Sequence, residues 1–296
     1  MIWKIMIKED HDNIYLNKKI FDNIKMNGYL IIPIAIILLI SIIFLIIWIG
    51  PKNKKINIEN LSYNINDKKV VACFMVRDGE SYLEKNLKEI NNYLSENFKT
   101  YEIIYVENDS KDDTRNILKN LEKEMPLSGI MLNMTDKFSS SMCKGKKNCK
   151  KRFRFLASLR QKLLDRIKKE FSNYDYQLLL DLDFVDFDQN ELTNMFKIID
   201  QNNYDAIFGM SIVNNKPYDV GAIMNLFAKI HYLLFFKKNK SLSKVSSAFS
   251  GFGIYNIKSL IKYNANYNLS TNSIEHIDLN QKLPTKYIYN NFTPRF

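Results

Sequence analysis

Apolar positions along the chain fall into two alternating patterns. Short runs almost free of charge, "VVACFMV" (70–76), "YEIIYVEN" (101–108), "GIMLNM" (129–134), "YQLLLDLDF" (176–184) and "YDAIFGMSI" (204–212), read as strands. Between them, apolar residues recur every three or four positions. Leu83, Leu87, Ile90 and Leu94 predict a helix within 77–94, and further helices follow over 109–125, 152–171 and 189–200. The second of these opens on Asp, Ser and Thr residues suited to capping. Strands alternating with helices imply βαβ units, an α/β fold whose mostly parallel sheet is covered on both faces by helices. Past about residue 212 the pattern weakens. "GAIMNLFAKIHYLLFF" (221–236) reads as helical, "SAFSGFGIY" (247–255) as a small-residue loop entering a strand, and the remaining tail as irregular.

One stretch obeys neither pattern. "YLIIPIAIILLISIIFLIIWI", Tyr29 to Ile49, runs 21 residues without a charge. At ~1.5 Å per residue it reaches roughly 30 Å, the thickness of a bilayer's hydrocarbon. Tyr29 and Trp48 stand near its ends, where amphipathic rings favour the headgroup layer. The run is too long for a signal-peptide core and lacks a small-residue cleavage site, so the expectation is one transmembrane signal anchor. The organisation expected is a polar tail (1–28), the anchor (29–49), a stem (50–69) and a catalytic domain (70–296). Lys18, Lys19 and Lys25 before the span balance Lys52, Lys54 and Lys55 after it, so loop charge barely selects an orientation. A short tail ahead of a large domain favours a cytosolic N-terminus with the bulk in an ER/Golgi-type lumen, or in a host-cell or virion membrane if the source is viral.

Of the 296 residues 46% are hydrophobic, enough for a sizeable core, and the net charge of +11 suggests anionic partners. Heavy use of lysine, asparagine and isoleucine also fits AT-rich coding. No recognised nucleic-acid motif accompanies the charge, so nucleic acid is not an expected partner. "KGKKNCKKRFR" (144–154) holds seven basic residues and reads as a solvated loop that can attract diphosphate, an acidic acceptor or a membrane surface. Three cysteines build no disulfide framework; Cys143 and Cys149 can close a small loop only in an oxidising compartment. His11 falls in the tail and His231 in an apolar segment, a structural position.

Ligands of open α/β sheets bind beyond the carboxyl ends of the strands, and three polar clusters fall there: "VRDGE", "VENDSKDDT" and "DLDFVDFD". Asp181 and Asp183, two apart, would project from one face of a strand toward a single hard cation, Mg²⁺ or Mn²⁺. Asp186 and Asp188 lie beyond the strand, and Asp188 suits a helix cap.

The motifs "VRDGESYLEKNL", "YVENDSKDDT", "LASLRQKLL", "LLLDLDFVDFD" and "EHIDLNQKL" occur in an order that resembles nucleotide-sugar glycosyltransferases of the GT-A fold. The likeness is to the fungal capsule-associated mannosyltransferase family and its relatives in protists and giant viruses, over roughly residues 70–296. The resemblance implies a nucleotide-sugar donor such as GDP-mannose and a glycan or glycoprotein acceptor. It implies Arg77, Glu107 and Asp109 at the donor's base and ribose, Arg160 at its diphosphate or sugar, and Asp181 and Asp183 as the metal-binding pair. It further implies His276 as a metal ligand and Glu275, with Asp183, as catalytic carboxylates. Arg160 is followed by Gln161 where the family has asparagine. Two other classes share parts of this pattern. A sugar-phosphate nucleotidyltransferase would show a Gly-rich basic loop at the first strand, which "VRDGES" is not. A non-catalytic glycan-binding module would need no ordered metal.

Overall fold

The computed structural model describes residues 33–45, 53–56, 64–134, 146–214, 216–217, 223, 232 and 238–296. The chain divides between Gly50 and Pro51 into two compact units. In the first, residues 33–45 are helical and their apolar side chains are exposed, Phe44 at 68% and Ile37 at 62%. Among the described residues no helix is long and apolar enough to cross a membrane. Residues 29–32 and 46–49 of the expected span lie outside the described residues, as do the tail, Cys143, His11 and His231.

The second unit is built on a nine-stranded sheet of order β1-β9-β11-β6-β10-β5-β2-β3-β4. Its strands are β1 (Asn53–Lys55), β2 (Lys69–Val76), β3 (Thr100–Asn108), β4 (Leu127–Leu132), β5 (Tyr176–Leu180), β6 (Ala206–Phe208), β9 (Ser241–Lys244), β10 (Phe252–Asn256) and β11 (Lys286–Tyr289). A separate ribbon pairs β7 (Ile212–Val213) with β8 (Lys216–Pro217). Following the pairings across the sheet, β9 and β10 run against the other seven strands, so the sheet is mostly parallel with two reversed members. Residues 53–55, expected in the stem, form an edge strand beside β9.

Helices α1 (Leu83–Asn97), α2 (Thr114–Leu121) and α4 (Gln189–Asn202) share one core with one side of the sheet. Helices α3 (Lys146–Glu170), α5 (Ile257–Lys262) and α6 (Glu275–Gln281) share a second core with the other. Strand alternation divides the residues: Val70, Ala72, Phe74 and Val76 of β2 face the first layer, Val71 and Cys73 the second. Burial on both faces is why β2 and β5 read as continuous apolar runs rather than alternating ones.

Several boundaries differ from expectation: α3 starts at Lys146, so residues 146–154 of the basic run expected to be a loop form its first turns, and three others have a visible reason. β5 stops at Leu180 because the side-chain amide of Asn86, on α1, donates to the carbonyls of Leu182 (2.6 Å) and Phe184 (2.7 Å), drawing the chain off the sheet. Asp181 and Asp183 therefore stand just past the strand rather than within it. α1 and α2 begin later than their periodicity suggests because residues 77–82 and 109–113 form interlocked turns. The C-terminal tail is not irregular: α6 and β11 are short elements, and β11 lies beside β6 in parallel.

Sheet order reverses around β2. The chain passes from β2 to β3 on one side, yet β5 lies on the other, which opens a crevice beyond the carboxyl ends of β2 and β5.

Candidate active site

A cleft of about 490 Å³ occupies that crevice. The ends of the strands supply Val76, Arg77, Asp78 and Asn108, and the turn after β5 supplies Asp181, Leu182 and Asp183. One wall is a single face of α3, where Arg152, Phe155, Leu156, Leu159 and Arg160 recur at helical spacing. Tyr82 and Phe296 complete the lining that matters here.

The floor is held by two loops that bond to each other. Asp78 N–H donates to Ser110 Oγ (3.0 Å), and Lys111 N–H donates back to Asp78 Oδ1 (2.7 Å). Gly79 N–H donates to Thr114 Oγ1 (2.8 Å), Glu80 N–H to Asp112 Oδ2 (2.9 Å) and Asp113 N–H to Glu80 Oε2 (3.2 Å). Asp78 and Asp109 take the left-handed conformation, with φ of 50° and 57°, which Asp tolerates better than most side chains. Much of the acidity in "VENDSKDDT" is therefore spent on backbone amides. Glu107 is fully buried and accepts from Arg115 Nε and from Ser110 N–H. Asp109 accepts from Lys111 Nζ at 2.6 Å. Both stand outside the lining of the cleft, and their neighbour Asn108 faces it.

The four aspartates after β5 separate by role. Asp188 caps α4, its Oδ1 accepting from Glu191 N–H at 3.1 Å. Asp186 forms a two-pronged pair with Arg295. Asp181 and Asp183 face the cleft, and Asp181 N–H donates to Gly251 O at 2.8 Å. Burial pushes the Asp181 carboxyl up to about 6; Arg160 opposes this, and the charges of Asp183 and Glu275 add to it. Asp181 lines the cleft and keeps 38% of its side chain accessible. Desolvation raises Asp183 as well. Tyr82 is pushed to about 12, first by burial and then by the two aspartates.

Arg160 is 6% exposed and lies between carboxylates, with Nε donating to Glu275 Oε1 (3.1 Å) and Nη2 3.5 Å from Asp181 Oδ1. Its guanidinium also sits over the Phe249 ring, 5.1 Å from the centroid. Its Nη1 is buried without a hydrogen-bond partner. Glu275 and His276, at 4% and 1% exposure, lie behind Arg160 and do not line the cleft. The His276 ring stacks on Phe249 at 4.0 Å, and its Nδ1 is 3.5 Å from the Tyr267 hydroxyl. Burial, with the Arg160 charge beside it, holds the imidazole well below its ordinary pKa, so it is neutral at pH 7.

The structure thus gathers Arg77, Arg160, Asp181 and Asp183 at one cleft and sets Glu275 in contact with Arg160. Among the described residues no group of three or more His, Cys, Asp or Glu forms a metal-holding cluster. Sequence reasoning passed over Tyr82, Phe155 and Phe296, met Arg152 only as part of the basic run 144–154, and met Asn108 only as the residue between Glu107 and Asp109. Only Arg152 and Phe155 carried a signal, since they share a helical face with Arg160.

A family profile described as Cryptococcal mannosyltransferase 1 matches residues 81–254, more than half of the chain and inclusive of Arg160, Asp181 and Asp183. No curated protein matches in sequence. Among solved structures, the mannosyltransferase PcManGT from Pyrobaculum calidifontis, in complex with GDP-Man and Mn²⁺, is 10% identical with a TM-score of 0.50, covering 80% of this chain and 58% of its own. S. aureus TarS in complex with UDP is 12% identical with a TM-score of 0.48, covering 77% and 60%. The chain thus spans about 60% of the length of these two solved structures, and at 10% identity the likeness to PcManGT is one of fold.

Proposed function

Since the chain belongs to the Cryptococcal mannosyltransferase 1 family, we propose that it is a metal-dependent glycosyltransferase that moves mannose from a nucleotide-sugar donor to a glycan or glycoprotein acceptor. The observation that carries this reading is the placement of Asp181 and Asp183 on one cleft at the sheet's reversal point, with Arg160 3.5 Å from Asp181. Sugar nucleotides carry a diphosphate, and a buried guanidinium there binds such oxygens in a forked geometry. Arg160 lines the cleft, and its buried Nη1 has no hydrogen-bond partner.

The site also fits a divalent cation, Mn²⁺ or Mg²⁺. Burial and mutual repulsion raise the Asp181 carboxyl, so the pocket holds negative charge that Arg160, shared with Glu275, offsets only in part. Two carboxylates plus the donor's own phosphates suit such ions, which keep several waters. Asp181 and Asp183 would hold the cation, and it would supply charge compensation for the departing nucleoside diphosphate. His276, stacked on Phe249 behind Arg160, is outside this pair. Arg160 orients the diphosphate, Tyr82 and Leu182 limit water around it, and Glu275 holds Arg160 in place. Arg77 and Asn108, which line the cleft at the ends of β2 and β3, would contact the nucleoside.

The same reading places the enzyme on a membrane through residues 29–49, with the catalytic unit lumenal. The helical stretch of exposed Ile and Leu over 33–45 supports an anchor there. Protease added to sealed microsomes should spare everything after Lys52, and digestion of the catalytic unit would reverse the orientation. For the chemistry, incubating the full chain with Mn²⁺ and a panel of sugar nucleotides, with and without acceptor glycans, should release GDP from GDP-mannose. Pyrophosphate-linked exchange would point to a nucleotidyltransferase. An absence of any turnover together with metal-independent glycan binding would sink the enzyme reading.

A further inference from the structure

The cleft contains three guanidinium groups, and two of them have carboxylate partners. Arg160 is shared between Asp181 and Glu275, and Arg77 Nε lies 3.5 Å from Asp78. Arg152 forms no hydrogen bond or ion pair among the described residues, although it is half-buried on the cleft wall. It occupies the same face of α3 as Arg160, two turns nearer the helix start, with Phe155, Leu156 and Leu159 between them. Eight residues at ~1.5 Å per residue separate the two along the axis by about 12 Å, more than the width of a hexose ring. Arg160 is buried beside Asp181, whereas Arg152 is partly open to solvent, so the face runs from the deep end of the cleft to its mouth.

The sugar-nucleotide donor's anion is its diphosphate, and a diphosphate held at Asp181 and Asp183 lies beside Arg160, about 12 Å along α3 from Arg152, with Arg77 at the proposed nucleoside end. A guanidinium this far out, beyond an apolar stretch suited to the faces of sugar rings, faces the position of the second substrate.

We propose that Arg152 is an acceptor-binding residue and that the acceptor carries an oxyanion, a phosphate or a carboxylate, about one sugar ring from the hydroxyl that is glycosylated. Phe155 beside it forms an apolar platform for the ring that bears this group. The inference rests on the glycosyltransferase reading above and names the acceptor's class.

Its test uses the full chain and does not need turnover. Binding of mannose, mannose 6-phosphate and mannuronate is measured by saturation-transfer NMR, in the presence of GDP and Mn²⁺ and in their absence. The two anionic sugars should bind about tenfold tighter than mannose, the advantage of a charge-assisted hydrogen bond. Whichever of the two binds more tightly identifies phosphate or carboxylate as the oxyanion. Arg152→Gln should remove this advantage while mannose binds as before, and Arg152→Lys should retain part of it. GDP-mannose affinity, measured calorimetrically, should be the same in the parent and in Arg152→Gln. Equal binding of all three sugars to the parent, or an advantage that survives in Arg152→Gln, would overturn the proposal. So would a loss of donor affinity in that variant, which would move Arg152 to the donor. A parent that binds anionic sugars but no sugar nucleotide would count against the transferase reading and leave the oxyanion site standing.

Discussion

Arg160 donates from Nε to Glu275 Oε1 at 3.1 Å, joining α3 to α6 across 115 positions of sequence. Removing the carboxylate strands a guanidinium that is 7% exposed on its side chain. Breaking a buried pair from one side costs about 3–5 kcal/mol, here lessened because Asp181 remains nearby. Glu275→Ala should therefore lose on the order of 2–4 kcal/mol in urea unfolding, whereas Glu275→Gln, which keeps an acceptor oxygen, should lose less than half as much. If Glu275 positions Arg160, Glu275→Gln should weaken donor binding and retain measurable transfer. Abolished transfer with unchanged donor affinity would instead make Glu275 the proton acceptor of the reaction.

Asp183→Asn should remove Mn²⁺-dependent donor binding, since an amide is a weaker ligand for a hard cation. Desolvation raises the Asp183 carboxyl, so replacing it relieves a small strain. The melting temperature of the metal-free protein should be unchanged or slightly higher. Asp188→Asn should leave both binding and melting near parental values, because asparagine caps a helix about as well as aspartate. Parallel calorimetric titrations of the two variants with Mn²⁺ and GDP-mannose decide the matter, and parental binding by Asp183→Asn would displace the metal from this turn.

Gly251 has φ of +78°, and a Cβ there would collide with the ring of Phe296. Its carbonyl receives the N–H of Asp181. Gly251→Ala should destabilise by at least ~1–2 kcal/mol from the left-handed backbone alone, with the clash in addition. Adding Phe296→Ala should recover the clash and not the backbone cost, an outcome that a double-mutant cycle reads directly. Complete additivity of the two substitutions would show that the ring moves aside freely.

Thr114→Val tests the paired loops. It removes the acceptor for Gly79 N–H, in a buried setting, and the hydroxyl that donates to Asp112. An amide left unsatisfied costs about 1–3 kcal/mol, visible as a lowered urea midpoint. Thr114→Ser keeps the hydroxyl and loses only a buried methyl, so it should cost about 0.8 kcal/mol, less than Thr114→Val.

The parts of this fold legible in sequence are those where burial imposes a pattern. β2 and β5 are buried on both sides, and uninterrupted apolar runs announce them. β9 ("SLSK") and β11 ("KYIY") carry four residues each, too few to show a period, and their partners lie elsewhere in the chain. The cleft aspartates were legible because strand ends are where such sheets place ligands. The burial of Glu107 was not, because its partner Arg115 comes from the next helix and nothing in the local run separates a ligand carboxylate from a structural one. Phe296 reaches the cleft only because residues 292–296 are bonded back to Met210, Ile212, Val185 and Asp186, a purely tertiary arrangement.

The reciprocal bonds between the turns after β2 and β3 also bear on how this region opens. Neither loop can release its amides while the other stays closed, so the two should behave as one cooperative unit in native-state hydrogen exchange. The amides of Asp78, Gly79 and Glu80 should then exchange at a rate shared with those of Lys111 and Asp113, although more than thirty residues separate them. The end of the cleft that we propose for the nucleoside would be either fully formed or fully absent at any instant, and a donor arriving in the formed state would meet a floor that needs no ordering.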